Sequence, residues 1–137
     1  MTISTTELAT GYRASRLIKG CWQLAGGHGE VDQAQAVLDM AAFVEAGLTT
    51  FDCADHYINV EALIGRFRSE HPALAAKLQV HTKCVPDYDR LTSCDRTYLT
   101  GIIDRSLERL GVEQLDLVQF HWWNLAQPGY IEALGIL

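Results

Sequence analysis

Short apolar runs alternate with longer stretches of helical period along the 137 residues. Four runs read as strands: Arg16 to Trp22, Leu48 to Asp52, Leu78 to Lys83 and Leu115 to His121. Between them the apolar residues recur at helical spacing. Asp32 is placed to cap a first helix with Gln35 three residues on, in the manner of a capping box. Ala34, Val37, Leu38 and Ala41 form the apolar stripe of that helix, and Gly47 suits its stop. Asn59 is placed to cap a second helix with Val60, Leu63, Ile64 and Phe67 on one face. His71-Pro72 breaks the pattern before the third strand. A third helix carries Leu99, Ile102, Ile103, Leu107 and Leu110 and stops at Gly111, and Pro128 to Leu137 opens a fourth. His28 and His71 fall in loops and are expected at the surface, and residues 1–15, polar and unpatterned, form an expected flexible lead-in.

Strand and helix therefore alternate four times, which predicts an α/β protein with parallel strands. The strand runs are apolar with little alternation, as expected where both faces are covered. Two architectures fit: an open doubly wound sheet and a closed (β/α)8 barrel. No GxGxxG follows the first strand, because AGGHG lies in a loop before a late helix start, so a dinucleotide fingerprint is unsupported. A barrel places its functional residues at the carboxyl ends of the strands. Asp52, Tyr57, Lys83 and His121 lie at such ends.

Side-chain parity sharpens this placement. If Asp52 faces the mouth of a barrel, Leu48 and Thr50 face the same way, while Phe51 and Cys53 turn to the helices. By the same count Lys83 and His121 face inward. Singly, each of the four has an ordinary structural use, as a cap, a rim aromatic, a surface lysine or a hydrogen-bonded core histidine. Together they form a proton-transfer set. A phenol is a poor proton donor at neutral pH, and an ammonium within about 4–6 Å favours its ionised form. A carboxylate beside the lysine holds that charge in place, and a histidine on a neighbouring strand is placed to orient a carbonyl oxygen or to share the proton. Such a group suits protonation of an oxygen on which negative charge develops.

Composition removes several alternatives. A net charge of −6 argues against a nucleic-acid groove, and no apolar run is long enough to span a bilayer. Cys21, Cys53, Cys84 and Cys94 show no CxxC spacing and no secretory signal precedes them, so reduced thiols in a cytoplasmic protein are expected. Cys21, Cys53 and Cys84 with His56 and His81 lack zinc-ligand spacing, and parity turns Cys53 and Cys84 away from the mouth, so no metal is expected.

At these residues the chain resembles the aldo-keto reductase family. The matching segments are KGCWQLAGG, GLTTFDCADHY with Glu61 and Gly65 after it, HTK, and SLERLGVEQLDLVQFH, in that order. The resemblance implies Tyr57 as general acid, Lys83 as the residue that lowers its pKa, Asp52 as the partner of Lys83 and His121 as the substrate-orienting residue. It implies hydride transfer from NADP(H), or NAD(H), to an aldehyde or ketone. Gly20, Cys21 and Trp22, with Asp52, are then expected at the cofactor, and Trp122 and Trp123 at the wall of the carbonyl pocket. Ile58 stands where the family often has Gly or Asn, and Cys21 and Cys53 where Thr or Ser is commoner.

A (β/α)8 barrel takes about 250 residues. Residues 16–137 therefore correspond to an incomplete barrel domain, its N-terminal half. Self-association through open sheet edges and weak turnover by the isolated chain are expected on that account. A non-catalytic, partner-binding relative or an inactive fragment is the alternative.

Overall fold

Four strands lie side by side in sequence order in one parallel sheet: β3 (Lys19–Gly20), β4 (Thr50–Asp52), β5 (Gln79–Cys84) and β6 (Leu117–Phe120). The structure, a computed structural model, describes residues 3–27 and 29–137; His28 lies outside the described residues. The crossovers carry α1 (Gln33–Glu45), α2 (Val60–Glu70) with the short α3 (Pro72–Ala75), and α4 (Arg96–Leu110). After β6 comes α5 (Tyr130–Leu134), which completes four βα units. This is the N-terminal half of a (β/α)8 barrel, with β3 and β6 at the two open edges of the sheet.

The residues expected to be an unpatterned lead-in form an antiparallel hairpin instead, β1 (Thr5–Ala9) and β2 (Tyr12–Ser15), turning at Gly11 with φ of 76°. Polar composition concealed it because β1 is exposed along its whole length, while only Ala14 and Ser15 of β2 are buried. The hairpin is fastened to the sheet by two side chains. Ser15 N–H donates to Thr50 Oγ1 at 2.9 Å, and the Tyr12 hydroxyl meets His81 Nε2 at 3.0 Å.

Helix boundaries follow local chemistry. Asp32 accepts from Gln35 N–H at 3.0 Å, but the Gln35 side chain turns forward to Asp39 (2.8 Å), so only half of the expected capping box forms. Asn59 makes no side-chain cap. It sits at φ 62°, in the left-handed region that asparagine tolerates better than most residues, and turns the chain sharply into α2. His71, expected at the surface, is half-buried and stacks on Phe67 at 5.5 Å.

The main core forms where Phe51 and Val80 of the sheet meet Val37, Met40 and Val44 of α1 and Val60, Ile64 and Phe67 of α2. The expected α1 stripe is thus rotated: Ala34 and Leu38 are exposed, and Ala36, Val37, Met40 and Val44 face inward. Both sets satisfy the 3.6-residue period, and contact with α2 and the sheet selects between them. In α4, Ile103 and Leu107 are only half-buried because they border an apolar groove of about 230 Å³ beside β6, with Leu115, Val118 and Leu137. No helix among the described residues is long and apolar enough to cross a membrane.

Candidate active site

β4 ends on Asp52 and β5 carries Lys83 one strand away, and the parity of the two strands aims both side chains at the same face. Lys83 Nζ donates to Asp52 Oδ1 at 2.7 Å and to the Cys53 carbonyl at 2.7 Å. The two side chains are 18% and 34% exposed, so the pair sits at the boundary between core and water. Thr50 and Phe51 confirm the alternation. Thr50 turns toward the hairpin, and Phe51, like Cys53, is fully buried in the core.

Past Asp52 the chain runs through a tight loop. Asp55 N–H reaches the Lys83 carbonyl at 3.2 Å, and Tyr57 N–H bonds back to Ala54 at 3.1 Å. This course brings the Tyr57 ring under the ammonium, with Lys83 Nζ 5.3 Å from the ring centroid, a cation–π contact. Asp52, Lys83 and Tyr57 therefore form one contiguous group. His121 joins it less directly. Its ring packs against Trp123 at 4.7 Å, Trp123 against His56 at 5.8 Å, and His56 against Tyr57 at 4.9 Å.

The expected cofactor residues divide. Gly20 lies opposite Asp52 in the sheet, with open space where a side chain would stand, and Trp22 is 53% exposed. Cys21 turns its thiol into the core, where burial pushes it up to about 12, so only its backbone borders the mouth. Burial likewise raises the Cys53 and Cys84 thiols. Among the described residues no cluster of His, Cys, Asp or Glu is arranged to hold a metal ion. Trp122 does not wall the mouth. It packs with Phe120 and Tyr130 on the helix side and donates to the Gln127 carbonyl at 3.0 Å, whereas Trp123 stands at the mouth.

Three contributors had no place in the proton-transfer set read from sequence. Gln119 pairs with Lys83 in register and donates to Asp52 Oδ1 at 3.1 Å. Two residues before His121, it shares that residue's parity, a signal already present in the sequence. His56 is the second. The third is Glu61, buried at the start of α2, which accepts from Thr82 Oγ1 at 2.6 Å and pairs with Arg109 at 3.4 Å. Arg109 also donates to the Asp55 carbonyl at 2.9 Å. This network lies on the helix side of β5 and ties α2 and α4 to the loop that carries Tyr57.

Asp55 adds a pH dependence. Burial, opposed by the hydrogen bond from Val85 N–H at 3.0 Å, pushes its carboxyl up to about 6. The folded state then binds more protons than the unfolded chain between about pH 4 and pH 6. The stability contributed by this group is present below that window and lost as pH rises through it. Asp55→Asn keeps an acceptor for Val85 and removes the titration. Urea unfolding is expected to show the variant gaining about 1–3 kcal/mol relative to the parent from pH 4 to pH 7. An unchanged difference across that range would show that Asp55 titrates normally.

Comparison with known proteins gives the family of the chain. The aldo/keto reductase family profile matches residues 16–137. The chain belongs to that family. A 6-dehydroglucose reductase of Novosphingobium aromaticivorans is 34% identical over 152 aligned residues, covering 93% of this chain and 48% of the relative. An aldo-keto reductase of a Mycobacterium species is 36% identical over 110 residues, covering 80% of this chain and 36% of the relative. In structure the chain is similar to Bombyx mori aldo-keto reductase in complex with NADP, with a TM-score of 0.69 at 21% identity over 89% of this chain and 39% of that one. The chain thus spans less than half the length of these relatives.

Proposed function

We propose that this chain carries the proton-donating side of a nicotinamide-dependent carbonyl reductase, acting on an aldehyde or ketone. The observation that carries the reading is the contiguous Asp52–Lys83–Tyr57 group at the strand ends, with Lys83 held at 2.7 Å by Asp52 and lying over the Tyr57 ring. Tyr57 gives its hydroxyl proton to the carbonyl oxygen as negative charge develops there. Lys83 supplies a fixed positive charge beside the phenol, Asp52 and Gln119 hold that side of the site in place, and His121 orients the carbonyl.

The strand end at Gly20, the exposed indole of Trp22 and the carboxylate of Asp52 would hold the nicotinamide end of NADP(H) or NAD(H). The open space at Gly20 supports that fit, because a flat ring needs room against the backbone. When bound, the nicotinamide supplies the hydride. The dinucleotide phosphates would be held outside these residues, so residues 1–137 alone are expected to turn over slowly. Exposed edges at β3 and β6 favour self-association of the isolated chain. Free, mostly buried cysteines suit a reducing, cytoplasmic setting.

The test is isotopic. The product of the full reading frame that encodes this chain, given NADPH and NADH deuterated at the transferring position and a panel of simple aldehydes and ketones, is expected to yield an alcohol with deuterium on the carbinol carbon. An alcohol without deuterium, or no alcohol, would overturn the proposal.

A further inference from the structure

A buried carboxylate stands behind the sheet, on the side away from the mouth. Glu61 lies in the first turn of α2 with its side chain 1% exposed, and both of its oxygens are engaged. Oε1 accepts from the Thr82 hydroxyl at 2.6 Å, and Oε2 meets Nη1 of Arg109 at 3.4 Å. Taking a carboxylate out of water is costly, and well-packed apolar residues would hold α2 against α4 and the sheet as firmly. Adhesion alone therefore gives no reason for a charge at this place. Its partners give one.

Each partner stands beside a member of the proton-transfer group. Thr82 precedes Lys83 on β5, and strand alternation turns it to the helices while Lys83 turns to the mouth. Nη1 of Arg109, the same nitrogen that meets Glu61, donates to the Asp55 carbonyl at 2.9 Å. Asp55 lies two residues ahead of Tyr57. The Tyr57 hydroxyl has no hydrogen-bond partner among the described residues, so core packing and this loop alone set the distance from its ring to Lys83 Nζ.

We infer that Glu61 is a positioning residue: through Thr82 on one side and Arg109 on the other, it sets the separation of Lys83 from Tyr57. The consequence for rate rests on the carbonyl-reductase reading above, where a misplacement of about 1 Å can cost on the order of 10²-fold. The separation itself can be measured without turnover.

Four variants in the product of the full reading frame test it. Glu61→Gln keeps the size and an acceptor for Thr82 but removes the charge that holds Arg109. Arg109→Met removes the donor to Asp55. Arg109→Lys keeps one, because a single nitrogen makes both contacts and an ammonium can take its place. Arg66→Gln breaks the exposed Arg66–Glu70 pair on the same helix and is the control.

Two quantities are read in each: the nuclear Overhauser contact between the Lys83 ε-methylene and the Tyr57 ring, and kcat and KM for the carbonyl substrate of the deuterium assay. Glu61→Gln and Arg109→Met are expected to weaken the contact and to lower kcat about ten- to hundredfold with KM unchanged. Arg109→Lys and Arg66→Gln are expected to stay near the parent in both. A clasp that only packs the helices would lower the melting temperature and leave contact and kcat of the folded protein intact. Arg109, with its side chain 41% exposed, keeps the test decisive where Glu61→Gln does not fold. An intact contact in folded Glu61→Gln or Arg109→Met, an unchanged kcat in either, or no rescue by Arg109→Lys would each overturn the inference. A parent without hydride transfer, with the contacts changing as expected, would count against the reductase reading alone.

Discussion

Tyr57→Phe is expected to lower carbonyl reduction by the product of the full reading frame by about 10²–10⁴-fold while leaving the fold unchanged. The substitution deletes one oxygen and keeps the ring that packs on the core and lies under Lys83. The hydroxyl has no hydrogen-bond partner among the described residues, so its removal leaves no described group unsatisfied. A structural tyrosine at this place would therefore lose little on replacement. Rate and stability separate the two roles: single-turnover NADPH oxidation is expected to collapse while the melting temperature stays within a few degrees. Full activity in the folded variant would remove Tyr57 from the chemistry.

Gly65→Ala is expected to produce the largest loss of stability. Gly65 sits in α2 where that helix packs on α4, and a methyl group there would be driven into the backbone carbonyl of Arg109. A backbone atom inside a packed helix pair cannot move aside cheaply. Helix propensity alone would make the same change favourable by about 1 kcal/mol, so a loss reports the contact itself. Overpacking costs about 1–3 kcal/mol and sometimes more, and the upper end applies here, a drop on the order of 10 °C in melting temperature. Gly101 in α4 is the control. A methyl group there meets only the flexible end of Arg105 at 3.7 Å, and Gly101→Ala is expected to raise stability slightly. Equal behaviour of the two variants would contradict the packing described.

These two outcomes depend on features of unequal legibility in the sequence. Asp52 and Lys83 could be read because a strand repeats every two residues, so position and parity alone put both carboxylate and ammonium on one face. The buried face of α2, and Leu99, Ile102 and Leu110 of α4, could be read for the same reason at the helical period. What needed the structure was whatever depends on two elements at once. The α1 stripe was misplaced because its period admits two faces, and only the neighbouring α2 and sheet decide between them. Gln119 was legible in parity but not in partner, since its bond to Asp52 depends on strand register across β4, β5 and β6.

Loops and adjacent aromatics were harder still. Trp122 and Trp123 are neighbours in sequence, yet one packs with the helices and the other borders the mouth. His56 could not be placed without the course of the loop that Asn59 closes in a left-handed conformation. The hairpin at the N-terminus escaped because an exposed strand shows no apolar alternation. Its one local mark was Gly11 between two runs of mixed polarity.

The central claim is that Asp52, Lys83 and Tyr57 act as one proton-delivery unit. The direct test is a double-mutant cycle on the rate of hydride transfer, with Lys83→Met, Tyr57→Phe and the double variant in the product of the full reading frame. Residues that act as a unit lose their effects non-additively. The double variant is therefore expected to be about as slow as the slower single variant. Losses that multiply, with all three variants folded, would show that Lys83 and Tyr57 act independently and would contradict the account.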